Sequence, residues 1–228
     1  MPTGITIDVL AVVLGSILGP TLGALIPKHV MDELSTAFGF VATLLAVTSL
    51  TKVCNVGAVG LTTIVSFLIG SLIDIDSRMR KGIDKMCRKL FSSADKNAGQ
   101  LSVYVVLFAF SATGIMGAID EAGGNSQIII CKAVLDFMTA LIVSYETGRI
   151  TALSAVIQAA VLFLCYFLAG KLSSILTGET YGDLAATGGI LLLMIAFNMM
   201  KVVKTKPING VLGFIIIVPM SRLWQSIF

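Results

Sequence analysis

Residues 150–170, ITALSAVIQAAVLFLCYFLAG, carry no charged side chain. A helix that crosses a lipid bilayer needs about 20 apolar residues, so this stretch is long enough to form one span. Similar stretches recur along the whole chain. We predict about eight spans, at residues 5–26, 34–51, 56–74, 101–119, 127–145, 150–170, 185–200 and 208–226. Strand-like alternation is absent, so the predicted fold class is an all-α polytopic membrane protein.

The composition supports the same fold class. Hydrophobic residues make up 56% of the chain and charged residues only 13%, whereas a soluble domain usually carries about 25% charge. An intrinsically disordered chain is excluded too, because disorder requires low hydrophobicity and high charge. No segment is left over for a soluble domain, so we predict a single membrane domain over residues 1–228 with the lipid bilayer as its main partner.

Basic residues predict the orientation, because they favour the cytoplasmic side of a membrane. Residues 78–96 contain seven of them. If that loop is inside, eight spans put twelve basic residues inside and three outside, with both termini outside. Within residues 76–98 we predict an amphipathic helix on the anionic inner leaflet, because apolar residues recur there at steps of three and four. A regulatory or partner-binding role is the alternative for this segment.

Spans one to three resemble spans six to eight. Residues 39–52, GFVATLLAVTSLTK, align without a gap to residues 188–201, GGILLLMIAFNMMK, and the preceding spans place Asp8 near Gln158. The two copies are separated by an odd number of spans, so they cross the membrane in opposite directions. We therefore predict an inverted repeat, with copy one at 5–75, central spans at 101–145 and copy two at 150–228. Many secondary transporters have this design and bind substrate near the midplane.

Lys132 and Asp136 are the clearest candidate site residues. They lie four positions apart in one predicted span and therefore share a helix face. A charged residue at the centre of a span costs at least about 2.5 kcal/mol on insertion scales, and such residues usually face a cavity or a partner. A substrate or proton site is one interpretation. A buried pair that only fixes the packing is the other.

Other polar residues in or beside the spans extend the candidate set. Asn198 and its repeat counterpart Ser49 are expected at matching depth, where they could supply hydrogen bonds or join helices. Asp8 is expected near the outer end of span one, within reach of water. Asn209 follows a proline at the start of a span, where it could belong to the site or simply cap a helix. The remaining candidates are Gln158, inside span six, and Asp120, which could attract cations or mark the membrane interface.

Span one also carries Gly15, Gly19 and Gly23 at four-residue spacing, with Pro20 between them. Small residues at this spacing allow another helix to approach closely. A hinge or broken helix that lines a pathway is the alternative interpretation, because a proline removes one backbone hydrogen bond.

Several functions are disfavoured by missing motifs. The chain has one histidine and widely spaced cysteines, so we expect no metal site. It has no phosphate-binding GxxxxGK[ST] loop, no HExxH and no GxSxG. We therefore expect no enzymatic activity, no cofactor and no nucleic-acid partner.

The motifs together resemble the domain of unknown function 554 family, also called the YqgA-like family of bacterial membrane proteins. The similarity covers nearly the whole chain, and the motifs are specific in their combined order. The opening residues 4–8 precede the glycine stripe and Ile26-Pro27. Lys132 to Asp136 then matches a K-S-x-x-D motif. Further matches are Ser154, Ala155 and Gln158, the stretch from Gly188 to Asn198, and the late Asn209 and Pro219. The family has an asparagine where Asp8 stands. The resemblance implies a bacterial inner-membrane protein and no particular substrate.

The functional hypothesis is a secondary transporter of the bacterial inner membrane for a small solute or an ion. Lys132 would hold an anionic group or exchange with Asp136, and Asp136 would be the coupling carboxylate. Asn198, Ser49 and Gln158 would supply neutral hydrogen bonds. A channel and a non-transporting accessory or scaffold protein are the alternatives, and a homo-oligomer is compatible with each of them.

Overall fold

The structure is a computed structural model that describes residues 2–90, 104–105, 108–109, 111–173 and 178–227. Within these ranges the secondary structure consists of helices, and no strand occurs. The α-helices are α1 (Thr3–Leu22), α2 (Lys28–Leu50), α3 (Val56–Ile73), α4 (Ile75–Leu90), α5 (Ala112–Ala122), α6 (Gln127–Thr147), α7 (Leu153–Ser173), α8 (Gly178–Met199) and α9 (Gly213–Ile227). Short 3₁₀ turns at Gly23–Leu25, Arg149–Ala152 and Pro207–Gly210 join some of them.

The described residues include six helical segments that are long and apolar enough to cross a membrane. They are Thr3–Leu22, Val56–Ile73, Gln127–Tyr145, Arg149–Lys171, Gly178–Met199 and Pro207–Ile227. Thr36–Leu50 is apolar but shorter. Residues 101–103, 106–107 and 110 of the predicted span at 101–119 lie outside the described residues. The all-helical class is thus confirmed for the described ranges, whereas the count of eight spans is not.

The segment predicted to be amphipathic is helical where the structure describes it. α4 covers Ile75–Leu90 and has Asp76 in its first turn. Residues 91–98 of the predicted segment lie outside the described ranges. α4 follows α3 directly, because Asp74 ends α3 in the left-handed conformation, with φ of 51°.

The chain forms two compact units, one of Met1–Ser35 with Ser77–Leu168 and one of Thr36–Asp76 with Ala169–Phe228. In the first unit, α1 packs closely on α6 along the glycine stripe. A Cβ atom at Gly15 would lie 2.5 Å from the Phe137 carbonyl oxygen, and one at Gly19 would collide with Ser144 Oγ. The hydroxyl of Ser144 also donates to the Gly15 carbonyl at 3.2 Å. The stripe is therefore used for helix packing, as small residues at this spacing allow.

The second unit is built around α8, whose residues from Thr180 to Gly189 are largely buried. α3 and α9 run antiparallel beside it. Gly57 at the start of α3 faces Trp224 near the end of α9, while Gly70 near the end of α3 faces the Asn209 backbone just before α9. The core between these helices contains Ala58, Val59, Leu184, Ala186 and Ile217.

A buried carboxylate binds the start of an apolar helix in each unit. In the first unit, Glu121 accepts hydrogen bonds from the backbone N–H groups of Gly4 and Ile5 and from the Ser126 hydroxyl. In the second unit, Asp183 accepts from the backbone N–H groups of Cys54 and Asn55. The first N–H groups of a helix have no intrahelical acceptor, and Glu121 satisfies two of them in α1. Asp183 satisfies the N–H groups of the two residues directly before α3.

Candidate functional site

Four polar side chains from three helices meet in the interior of the first unit. We call Asp8 of α1, Lys132 and Asp136 of α6, and Gln158 of α7 the polar cluster. Their exposed fractions are 0%, 2%, 5% and 0%, respectively. All four were candidates from the sequence, and the structure brings them together.

The hydrogen bonds of the polar cluster converge on one oxygen of each carboxylate. Lys132 Nζ donates to Asp8 Oδ2 at 3.0 Å and is in direct contact with Asp136 Oδ2. Gln158 Nε2 donates to the same two oxygens, at 2.7 Å to Asp8 Oδ2 and 3.1 Å to Asp136 Oδ2. Two donors and two acceptors therefore form a closed arrangement that joins α1, α6 and α7.

The surrounding helices leave room for the polar cluster. Lys132 and Asp136 are one helical turn apart and point to the same side of α6. Gly114 of α5 packs over the lysine, since a Cβ atom at that position would lie 3.1 Å from Lys132 Cε. Sequence reasoning missed this role of Gly114. Its place in a row of small residues along α5 was the available signal.

Two buried oxygens of the polar cluster have no hydrogen-bond donor in the part of the chain that the structure describes. They are Asp8 Oδ1 and Gln158 Oε1. Buried polar atoms are normally paired, and each exception calls for an explanation. Both atoms are acceptors, so the polar cluster can take an added proton, cation or hydrogen-bond donor.

The structure corrects the expected environment of Asp8. The sequence position near the beginning of span one predicted contact with water, but Asp8 is fully buried. The cause is the packing of α1 between its neighbours: Ile5, one turn before Asp8, is in a buried group with Ala118, Ile129 and Leu162. Asp8 consequently belongs to the interior with Lys132.

Ser49 and Asn198 are not joined by a hydrogen bond, although the repeat alignment matched them. Ser49 is buried and donates to the Leu45 carbonyl of its own helix at 3.0 Å. Asn198 exchanges hydrogen bonds with Thr205, accepting from its N–H at 2.8 Å and donating to its carbonyl and hydroxyl at 3.0 Å. Asn198 thus holds the loop after α8, and a ligand-binding role for either residue stays a prediction.

Asp120 and Asn209 lie at helix ends. Asp120 is buried and accepts a hydrogen bond from Asn125 Nδ2 at 2.6 Å, in the turn between α5 and α6. Asn209 Oδ1 accepts from the Asp76 N–H at 3.0 Å, and so Asn209 caps the start of α4 rather than a helix of its own. A ligand-binding role for Asp120 or Asn209 stays a prediction.

No group of three or more His, Cys, Asp or Glu side chains within the described ranges could hold a metal ion. The chemistry available in the polar cluster is therefore that of carboxylates, an ammonium group and an amide. These groups can bind and exchange protons, bind a small cation or hydrogen-bond a small polar solute.

Comparison with known proteins places the chain in a family. Over its full length it is 26% identical to the full-length Escherichia coli K12 protein described as "Uncharacterized protein YqgA". It is 25% identical to a Bacillus subtilis 168 protein described as "Uncharacterized membrane protein YdfK", over 90% of each chain. No solved structure matches the chain. The membrane-protein relative and the apolar helices together indicate a membrane location. The model of the family "Protein of unknown function (DUF554)" matches residues 3–222, and the chain therefore belongs to that family.

Proposed function

We propose that this protein is a secondary transporter for a small solute or ion, and that the polar cluster is its coupling site. One observation carries the proposal: Asp8, Lys132 and Asp136 are buried together within helices long and apolar enough to span a membrane. Ionisable residues inside a membrane are rare and usually mark substrate, ion or proton pathways.

The energetics favour a functional site over a packing device. A buried ion pair loses hydration on both partners and is often no more stable than well-packed apolar side chains of the same volume. The polar cluster contains three ionisable groups, so an apolar replacement would be the simpler way to join α1, α6 and α7. The energetic cost of three buried ionisable groups is better explained by a need to bind and release a solute or an ion.

The proposed inverted repeat is supported by the packing of its counterpart helices. In the first unit, Ile5 of α1 and Leu162 of α7 belong to one buried group, while Val12 of α1 and Ala155 of α7 belong to another, an order that fits antiparallel counterpart helices. Asp8 and Gln158, which the repeat alignment matched, lie between these contacts and bond to each other. Counterpart residues that touch lie on the two-fold axis of such a repeat, where transporters of this kind bind their substrates.

Counterpart helices of the proposed inverted repeat are also in contact in the second unit. α2 and α8 are counterparts and run antiparallel: a Cβ atom at Gly39 would lie 2.6 Å from the Met200 side chain, and one at Gly189 would lie 3.0 Å from the Ala46 carbonyl oxygen. α3 and α9, the next counterparts, are antiparallel as well. The proposal retains the predicted total of about eight spans, with both termini outside the bacterial inner membrane.

The test is a flux measurement on the full chain in proteoliposomes that contain the pH-sensitive dye pyranine. Gradients of sodium, potassium, lithium and ammonium chloride are imposed in turn, followed by phosphate and small carboxylates. We expect at least one gradient to move protons with wild type and none with Asp136→Asn. Asp183→Asn is the matched control, because Asp183 is a buried carboxylate outside the polar cluster, and it should keep the flux.

The alternatives give different results. Equal dye responses with wild type and Asp136→Asn would remove the coupling role from the polar cluster. Flux that neither saturates nor shows counterflow would indicate a channel. Absence of flux for every solute, with the folded chain bound to a fixed partner, would indicate an accessory or scaffold protein.

A further inference from the structure

We infer that the polar cluster binds one exchangeable proton, carried by the carboxylates of Asp8 and Asp136 as a pair. This inference rests on the proposed function and names its coupling ion. It differs from the sequence-based hypothesis, in which Asp136 alone was the coupling carboxylate and Lys132 was open to an anionic group.

The charge count gives the first argument. With every group ionised, the polar cluster contains two carboxylates and one ammonium group, which leaves one negative charge unbalanced. Lys132 already binds both carboxylates, so it cannot balance the second one. An uncompensated charge in a low-dielectric interior is strongly unfavourable, and the usual response is to take up a proton. Two carboxylates that share a site bind such a proton as a coupled pair.

The hydrogen-bond count gives the second argument and is independent of the charges. Lys132 and Gln158 donate hydrogen bonds to the Oδ2 atoms of Asp8 and Asp136. Asp8 Oδ1 and Gln158 Oε1 are buried and receive no hydrogen bond from the described residues. The polar cluster is therefore short of donors. Protonation of a carboxylate adds one O–H donor and removes one charge in the same step.

A proton fits these vacant acceptors better than a metal ion. Calcium takes six to eight oxygen ligands and magnesium takes an octahedral set. The polar cluster offers two buried oxygens without donors, and the described residues contain no group of three or more His, Cys, Asp or Glu side chains for a metal. A proton needs one covalent partner and one acceptor, which matches what is present.

The neighbouring helices set the environment of this proton. α7 contributes the neutral amide of Gln158, and α5 contributes Gly114 over the lysine. Tyr104 packs against the buried group that contains Val12, and Cys165 and Tyr166 of α7 pack against the buried group that contains Ile5. At the far end of α5, Asp120 and Glu121 are hydrogen-bonded to the α5–α6 turn and to the first turn of α1, respectively.

The step itself is a simple proton transfer. A water molecule or hydronium ion gives its proton to a carboxylate oxygen, one O–H bond forms as another breaks, and the polar cluster becomes neutral. Release reverses the step and restores one negative charge. Binding of the proton and exposure of the site to the other side of the membrane would together couple solute movement to the proton gradient.

The experiment measures the proton directly, by infrared spectroscopy of the purified full chain in nanodiscs near neutral pH. A protonated carboxyl group has a C=O band separate from that of a carboxylate, and the band shifts in D₂O. We expect such a band in wild type and its complete loss in both Asp8→Asn and Asp136→Asn, since each variant leaves one carboxylate for Lys132. Asp183→Asn should keep the band. If one variant fails to fold, the other tests the same charge count.

The outcomes separate this inference from the proposed function. A wild-type protein without the band would overturn the inference, because the three charges would then coexist. A band that disappears with sodium chloride but not with choline chloride at equal ionic strength would also overturn it, in favour of a metal cation. If flux is measured but the band is absent, the proposed transport function stands and the proton shared by Asp8 and Asp136 is refuted. If the band is lost in both variants but the wild-type protein transports no solute, the shared proton is supported and the transport function is refuted.

Discussion

Gln158 donates its side-chain amide to Asp8 Oδ2 at 2.7 Å across 150 positions of sequence. The same amide reaches Asp136 Oδ2 at 3.1 Å. A neutral residue therefore joins the two carboxylates that flank Lys132 and ties α7 to both α1 and α6. Asp8 and Gln158 are also matched by the repeat alignment. Their contact therefore supports both the inverted repeat and the assignment of the polar cluster as the coupling site.

Replacing Lys132 with methionine should be strongly destabilising. The substitution removes the ammonium group that contacts both Asp8 and Asp136, and it leaves two buried carboxylates without that partner. Breaking a buried pair by removing one partner costs about 3–5 kcal/mol. We expect a clear fall in the thermal unfolding temperature of Lys132→Met, measured by fluorescence-detected size exclusion in detergent.

The matched control is Lys206→Met. Lys206 Nζ lies 3.1 Å from Asp74 Oδ1, and both side chains are about half exposed. Exposed pairs contribute about 0–1 kcal/mol, so this variant should unfold near the wild-type temperature. Adding Asp136→Asn to Lys132→Met should recover part of the loss. Equal effects of the two lysine substitutions would show that the polar cluster is not a desolvated charge network.

Gly19→Ala should weaken the contact between α1 and α6. A Cβ atom at this position would overlap Ser144 Oγ and the Leu141 carbonyl oxygen. Overpacking of this kind typically costs about 1–3 kcal/mol. Gly60→Ala in α3 is the control, because no atom lies within 4 Å of its added methyl group. The thermal unfolding temperature should fall for Gly19→Ala only, and an unchanged temperature in Gly19→Ala would contradict the close packing of α1 on α6.

The sequence predicted the helices and named all four residues of the polar cluster, but it predicted a shared position only for Lys132 and Asp136. Charge-free stretches of bilayer length indicate spans, and the four-residue spacing puts Lys132 and Asp136 on one face. The burial of Asp8 could not be predicted, because it depends on which helices pack around α1. The hydrogen-bond partners of Ser49 and Asn198 could not be predicted from their matching depth either. Depth fixes the position of a residue along the membrane normal but not the direction in which its side chain points.

Glu121 and Asp183, the two buried carboxylates that bind backbone N–H groups at helix starts, should each stabilise only their own helix start. Glu121→Ala removes the acceptor for the Gly4 and Ile5 amides, and Asp183→Ala does the same for Cys54 and Asn55. Loss of such a cap costs about 0.5–2 kcal/mol, which corresponds to roughly tenfold faster exchange of the affected amides. Hydrogen–deuterium exchange should accelerate at the first pair only in Glu121→Ala and at the second pair only in Asp183→Ala. Acceleration of both pairs in either variant would indicate global loosening instead of local capping.

The proposed orientation puts the loop after α2 outside the cell. Cys54 is exposed in that loop and is a free cysteine. In a variant that retains Cys54 alone, we expect a membrane-impermeant maleimide to label intact cells. A variant with its only cysteine at Lys81→Cys, in the predicted cytoplasmic segment, should be labelled only after the cells are opened. The reverse pattern would invert the topology and place both termini inside.

The same cysteine allows a test of the local electrostatics. Desolvation raises the pKa of the Cys54 thiol, and the negative charges of Asp183 and Glu179 raise it further. A raised pKa means a smaller fraction of reactive thiolate at a given pH. Glu179→Gln removes one of these charges without touching the capping hydrogen bonds of Asp183. The pKa of Cys54 should then fall, and alkylation by iodoacetamide at mildly alkaline pH should become faster.

Glu33→Gln, an exposed substitution in α2, is the control and should leave the rate of Cys54 alkylation unchanged. Slower alkylation in Glu179→Gln would contradict the sign of the effect, because removal of a negative charge can only favour the thiolate.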